Sequence, residues 1–142
     1  MNDDSLRMQK YEDICKMKRM LLWQGRFCSE LAVFMALVRK PFPRFYITPE
    51  YCAKMFRWMD TGDARIGRMK PSKRRMLGHL HERYLAMKAE NPDMTKIEIC
   101  YVIVHEQAPE LYMSHYSAYD FYLLMKKRKR LLDELKNTRK DT

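Results

Sequence analysis

Apolar residues recur at intervals of three and four along most of this chain, the spacing that places side chains on one face of an α-helix. Met8, Tyr11, Ile14, Cys15, Leu21 and Leu22 outline a first helix, opened by Ser5 and ended by Gly25. A short second helix over 30–38 is apolar nearly all round, so burial is expected, and Ser29 stands where a capping hydroxyl belongs. Two prolines in Lys40-Pro41-Phe42-Pro43-Arg44-Phe45-Tyr46-Ile47 exclude a continuing helix. Thr48-Pro49-Glu50 then combines a capping hydroxyl, a first-turn proline and an acid at the positive dipole end. It predicts a third helix carrying Tyr51, Met55, Phe56 and Met59 and stopping near Gly62.

The second half repeats this grammar. Residues 60–71 read as a connector, after which Ser72 is the expected cap of a helix with Met76, Leu77, Leu80, Tyr84 and Met87 on its apolar face. Asn91-Pro92-Asp93 breaks it. Thr95 and Glu98 form a capping-box pair ahead of Ile97, Ile99, Val102 and Ile103, and Ala108-Pro109 interrupts that run. Ser114 opens a long last helix with Tyr119, Tyr122 and Met125 at periodic positions and with Leu131, Leu132 and Leu135 expected to be buried beyond them.

Offsetting the chain by 66 residues aligns 31–59 with 97–125 without a gap. Val38 meets Val104, Pro43 meets Pro109, Tyr46 meets Tyr112 and Met59 meets Met125, and the caps Ser29 and Thr95 coincide. The expected architecture is therefore all-α: two tandem, diverged three-helix units of helix-turn-helix type, each with a Pro-aromatic turn. The units span 1–62 and 72–142, with a basic connector at 63–71. Phe45-Tyr46-Ile47 and Leu111-Tyr112-Met113 alternate enough to form two short strands that pair with each other.

Composition adds a partner class. The 142 residues carry a net charge of +10, and the charge is unevenly placed. Residues 63–88 hold eight Lys and Arg against two acids, a net +6, and residues 126–140 again net +6, whereas 89–125 net −5. Clustered cations neutralise phosphates and release counterions, so the basic blocks point to nucleic acid. The competing reading is a solvated helical face. Acids precede any apolar run at the N-terminus, and the longest such run is eight residues, 31–38. No signal peptide, membrane span or membrane partner is expected, and the expected setting is cytoplasmic. Cys15, Cys28, Cys52 and Cys100 lack C-x-x-C spacing and read as reduced core thiols.

Catalytic constellations are thin. His79 and His81 fall on different faces of a predicted helix, His105 and His115 lack ligand partners at metal spacing, and no phosphate loop or nucleophile elbow is present. The expectation is a non-catalytic protein with no cofactor, metal or small-molecule substrate. The candidate nucleic-acid contacts are Arg44, Lys54 and Arg57 of the first unit, then Arg65, Arg68, Lys70, Lys73, Arg74 and Arg75, then Lys126, Lys127, Arg128, Lys129 and Arg130. DNA is the expected partner, with RNA as the alternative. In the second unit Glu110, Asp120 and Leu123 replace Arg44, Lys54 and Arg57, so its aromatics Tyr112, Tyr116 and Tyr119 are assigned to core or to a protein partner, which includes a second copy of the chain.

The segment Pro43-Arg44-Phe45-Tyr46-Ile47-Thr48, echoed by Pro109-Glu110-Leu111-Tyr112-Met113-Ser114, resembles small basic helical proteins encoded by phages and mobile elements of gut bacteria. That resemblance implies a setting and no activity. Residues 95–137 are more loosely similar to phage small-terminase subunits, whose helix-turn-helix binds DNA and whose helices oligomerise. The acids Glu110 and Asp120 count against DNA contact by that segment. The competing function is a protein–protein adaptor or virion-associated structural subunit.

Overall fold

The computed structural model describes residues 3–140, and among them it contains seven helices and no strand. They are α1 (Asp3–Gln24), α2 (Glu30–Leu37), α3 (Pro49–Thr61), α4 (Ala64–Gly67), α5 (Pro71–Glu90), α6 (Lys96–Ile103) and α7 (His115–Lys140). None is long and apolar enough to cross a membrane.

Local chemistry sets most boundaries. The hydroxyls of Ser29, Thr48 and Thr95 accept from the N–H groups of Ala32, Tyr51 and Glu98 at 3.1, 3.2 and 3.3 Å, capping α2, α3 and α6. Ser114 likewise accepts from the Ser117 N–H at 3.1 Å at the start of α7. Gly62 ends α3 in the left-handed region at φ 69°, a conformation that costs a side-chain-bearing residue more. Three starts differ from expectation. Helix α1 begins ahead of Ser5, with Asp3 and Asp4 in its first turn. Helix α5 begins at Pro71 rather than after Ser72, with Lys70 at the N-cap and no side-chain capping bond. The connector itself folds into α4, which Asp63 caps by accepting from the Arg65 N–H at 2.9 Å.

The chain forms two compact units. One comprises Arg39–Tyr112 with the first turn of α1 as far as Arg7, and the other Met8–Val38 with the chain from Met113 onward. These units interleave the sequence and do not follow the consecutive ranges 1–62 and 72–142. The reason is pairing: α3 packs on α6 and α6 on α5 in the first unit, whereas α2 packs on α7 in the second.

In the first unit Cys52, Met55 and Phe56 of α3 meet Leu77 and Leu80 of α5 and Ile99, Cys100 and Ile103 of α6, all buried. Phe42 and Ala108 join their backbones in an antiparallel bridge, each N–H donating to the other's carbonyl at 2.9 and 2.8 Å. The two bridged residues are 66 apart. The expected pairing of 45–47 with 111–113 is replaced by this single bridge, since Pro41, Pro43 and Pro109 have no N–H with which to lengthen a ladder. Phe45 donates instead to the Val104 carbonyl at 2.9 Å.

In the second unit Tyr11, Ile14 and Leu21 of α1, Val33, Phe34 and Leu37 of α2, and Ala118, Tyr122 and Met125 of α7 are buried. Phe34 lies 5.3 Å from Tyr119 and 5.4 Å from Tyr122, centroid to centroid. Lys18 bonds both Glu30 and the Tyr122 hydroxyl, and its ammonium holds the Glu30 carboxyl below its ordinary range. Burial stops at Met125. Leu131, Leu132 and Leu135, expected in the core, are exposed, because α7 runs on past the last residue that its unit covers.

Candidate nucleic-acid interface

Helix α3 has three faces. Cys52, Met55 and Phe56 point into the core, Arg57 is exposed beside a cleft shared with Thr95, Lys96 and Ile97, and Tyr51, Lys54 and Trp58 share the third face. At 100° per residue the last three lie within about 60° of one another. This third face gathers cations from three elements. Lys54 of α3 and Arg65 of α4 lie over the Trp58 ring, at 5.0 and 3.7 Å from its centroid. Lys73, in the first turn of α5, lies 4.5 Å over the Tyr51 ring and donates to its hydroxyl. Lys70, the N-cap of α5, and Arg74 in its first turn are exposed.

Arg65 is the most constrained of these groups. Its Nε and Nη2 donate to the two carboxylate oxygens of Asp63 at 3.0 and 2.7 Å. That bidentate pair, with the Arg65 backbone N–H, pulls the Asp63 carboxyl down to about 2. The guanidinium therefore has Trp58 beneath it and Asp63 along its edge, while its side chain stays 57% exposed. Arg68 stands close enough to add to the positive field at Asp63.

Other predicted contacts are absorbed by the fold. Arg44 is not a surface residue: it is 7% exposed, and its Nε and Nη2 donate to the carbonyls of Phe45 and Ile47 at 3.0 and 3.4 Å. The irregular turn leaves those carbonyls without strand partners, and the arginine fork supplies the donors. Arg75 is paired with Glu110 at 2.5 Å, and Arg83 holds Glu106 through two 2.9 Å bonds. Lys88 donates to the carbonyls of Pro92 and Met94. The +6 of residues 63–88 is thus cut to a smaller group around the α3 aromatic face.

In the second unit Lys126, Lys127, Arg128, Lys129 and Arg130 are all exposed on α7. Five successive helical residues encircle the axis, so they make a basic collar and not one face. Arg130 approaches Glu134 at 4.0 Å. Leu124, Leu131, Leu132 and Leu135 are exposed on the same helix.

The aromatic candidates separate. Tyr112 is buried and belongs to the core, the first of its two expected places, and not to a partner surface. It is stacked on Phe45, bonded to His79 and held at φ 57°, and burial followed by the Glu110 charge pushes its hydroxyl up to about 12. Tyr119 is half-buried against Phe34, with its hydroxyl 3.3 Å from Glu30. Tyr116 alone of the three is exposed. Tyr51 and Trp58, partly buried against the core, are not among the candidates read from the sequence, although their seven-residue separation, with Lys54 between them, places them on one helical face.

No known family, characterised protein or solved structure matches this chain.

Proposed function

We propose that this is a non-catalytic nucleic-acid-binding protein, with DNA as the partner, of the kind carried by phages or mobile elements. The observation that carries the reading is the gathering of Lys54, Arg65 and Lys73 from three helices onto two aromatic rings of one α3 face, with Lys70 and Arg74 exposed nearby. Lys54, Lys70, Lys73 and Arg74 have no ion pair to a carboxylate among the described residues, which leaves their charge available to phosphates. The α7 collar is a second basic surface. Two diverged helix–turn–helix repeats remain our reading of the architecture. Its support is that α2 and α6, equal in length and capped at Ser29 and Thr95, begin 66 residues apart, as do the bridged residues Phe42 and Ala108.

The test is a fluorescence-anisotropy titration at increasing salt. If four cations contact phosphates, affinity falls about a hundredfold between about 50 and 200 mM salt, and K54A/K70A/K73A/R74A abolishes most of the slope. A flat salt response refutes the reading. The exposed leucines of α7 and Tyr116 favour one alternative, a protein–protein adaptor or virion-associated subunit that docks through the second unit.

A further inference from the structure

We infer that the α3 face prefers single-stranded to duplex nucleic acid, with the Arg65 guanidinium serving as the plate on which an unpaired base stacks; this rests on the nucleic-acid reading above. Asp63 makes Arg65 a weaker phosphate contact than its unpaired neighbours. Asp63 occupies both the Nε and Nη2 donors on one edge of its fork and offsets its charge. Three N–H donors and the plane remain, with the charge already offset by Asp63. Its carbon lies 3.7 Å from the Trp58 centroid, about the separation of stacked planes, and the side chain is 57% exposed. Trp58 and Asp63 together fix the plane's orientation before a ligand arrives, so a base that lands on it loses little of the arginine's freedom on binding.

Bases in a duplex already stack on one another and offer no free face, whereas unpaired bases stack on aromatic rings and on arginine planes. The second ring–cation pair, Tyr51 with Lys73, sits seven residues along α3 from Trp58. At 1.5 Å per residue the two stations are about 10 Å apart, which is roughly three nucleotides at the 3.4 Å per-strand rise. For reading duplex base edges α3 offers only its two cations, Lys54 and Arg57. It has no Asn or Gln, and its first turn carries Glu50, whose carboxylate accepts from Tyr101 at 2.6 Å. Lys54 and Lys73, at the two rings, are placed to meet the backbone of a strand lying over them, and Lys70 and Arg74 flank Lys73 in sequence.

The experiment compares a labelled oligothymidine strand, a duplex of equal length and an abasic strand of equal length, each titrated with the wild-type protein and with R65K. The variant keeps the charge and loses the plane, and its exposed position leaves the helical circular dichroism unchanged. The expected results are tighter binding of oligothymidine than of duplex or abasic strand, and a loss of about tenfold for R65K on oligothymidine alone. In a W23F background, which leaves Trp58 as the sole tryptophan, oligothymidine quenches the fluorescence and the abasic strand does not. Equal or tighter duplex binding, or an R65K affinity equal to wild type, overturns the stacking role while leaving nucleic-acid binding standing. Failure to bind any of the three at low salt overturns both.

Discussion

Arg44→Ala tests the reassignment of a residue that the sequence places at the interface and the structure places inside. The side chain is 7% exposed and supplies donors to two buried carbonyls, those of Phe45 and Ile47. A buried carbonyl that loses its partner costs about 1–3 kcal/mol, and the longer 3.4 Å bond to Ile47 belongs at the low end. Losing the buried part of the aliphatic stem adds about 0.8 kcal/mol per methylene. Removing a desolvated guanidinium returns part of this. The net expectation is a loss of about 2–4 kcal/mol. In a urea titration followed by far-ultraviolet circular dichroism, that lowers the unfolding midpoint by about 1–2 M. Arg44→Met, which keeps the stem and orphans the carbonyls, loses less. Affinity for nucleic acid under native conditions is unchanged in both. An unmoved midpoint together with weaker binding would refute the buried role and restore Arg44 as a contact residue.

Three further outcomes are expected. Tyr11 and Tyr112 are pushed up to about 12, in each case chiefly by burial. Because their folded values lie above the ordinary 10, the stabilisation they give is full below pH 10 and is lost as pH rises through 12. Tyr101 and Tyr119 are raised as well, chiefly by the Glu50 hydrogen bond and by burial respectively, so part of the phenolate absorbance will rise above the ordinary range, and complete ionisation near pH 10 with the helices intact contradicts it. Gly62→Ala costs about 1 kcal/mol by thermal unfolding; the cost is backbone strain at φ 69°, since nothing lies within 4 Å of an added Cβ. Replacing Leu131 and Leu135 together with Gln changes stability by no more than about 0.5 kcal/mol each, as their exposure requires. A much larger loss would reveal a partner already seated on α7, such as a second copy of the chain.

Helix starts were legible because their chemistry is local: Ser29, Thr48-Pro49-Glu50 and Thr95 each satisfy N–H groups within three residues. Pairing was not legible. An apolar face states that it needs cover and not which helix supplies it, and α2 and α6 present nearly interchangeable patterns to α3 and α7. The leucines beyond Met125 illustrate the same limit, since a 3.6-residue period marks a face whether or not anything covers it. Arg44 was misplaced because polar residues in proline-bounded turns are usually solvated. This turn has inward carbonyls and no strand to satisfy them. Trp58 and Tyr51 sat in plain view at helical spacing, but aromatics at that spacing are more often core.

The packing of α2 against α7 also sets a timetable. Phe34 finds its ring partners Tyr119 and Tyr122 only after 85 and 88 further residues have been added. At about 5–20 residues per second, the nascent chain carries an eight-residue, almost wholly apolar helix without its cover for roughly 4–18 s. The Arg39–Tyr112 unit has all but its first helical turn in one continuous stretch, and it can close during that interval. Synthesis thus builds the molecule from its middle outward, and an apolar helix that emerges early is among the last to be sheltered.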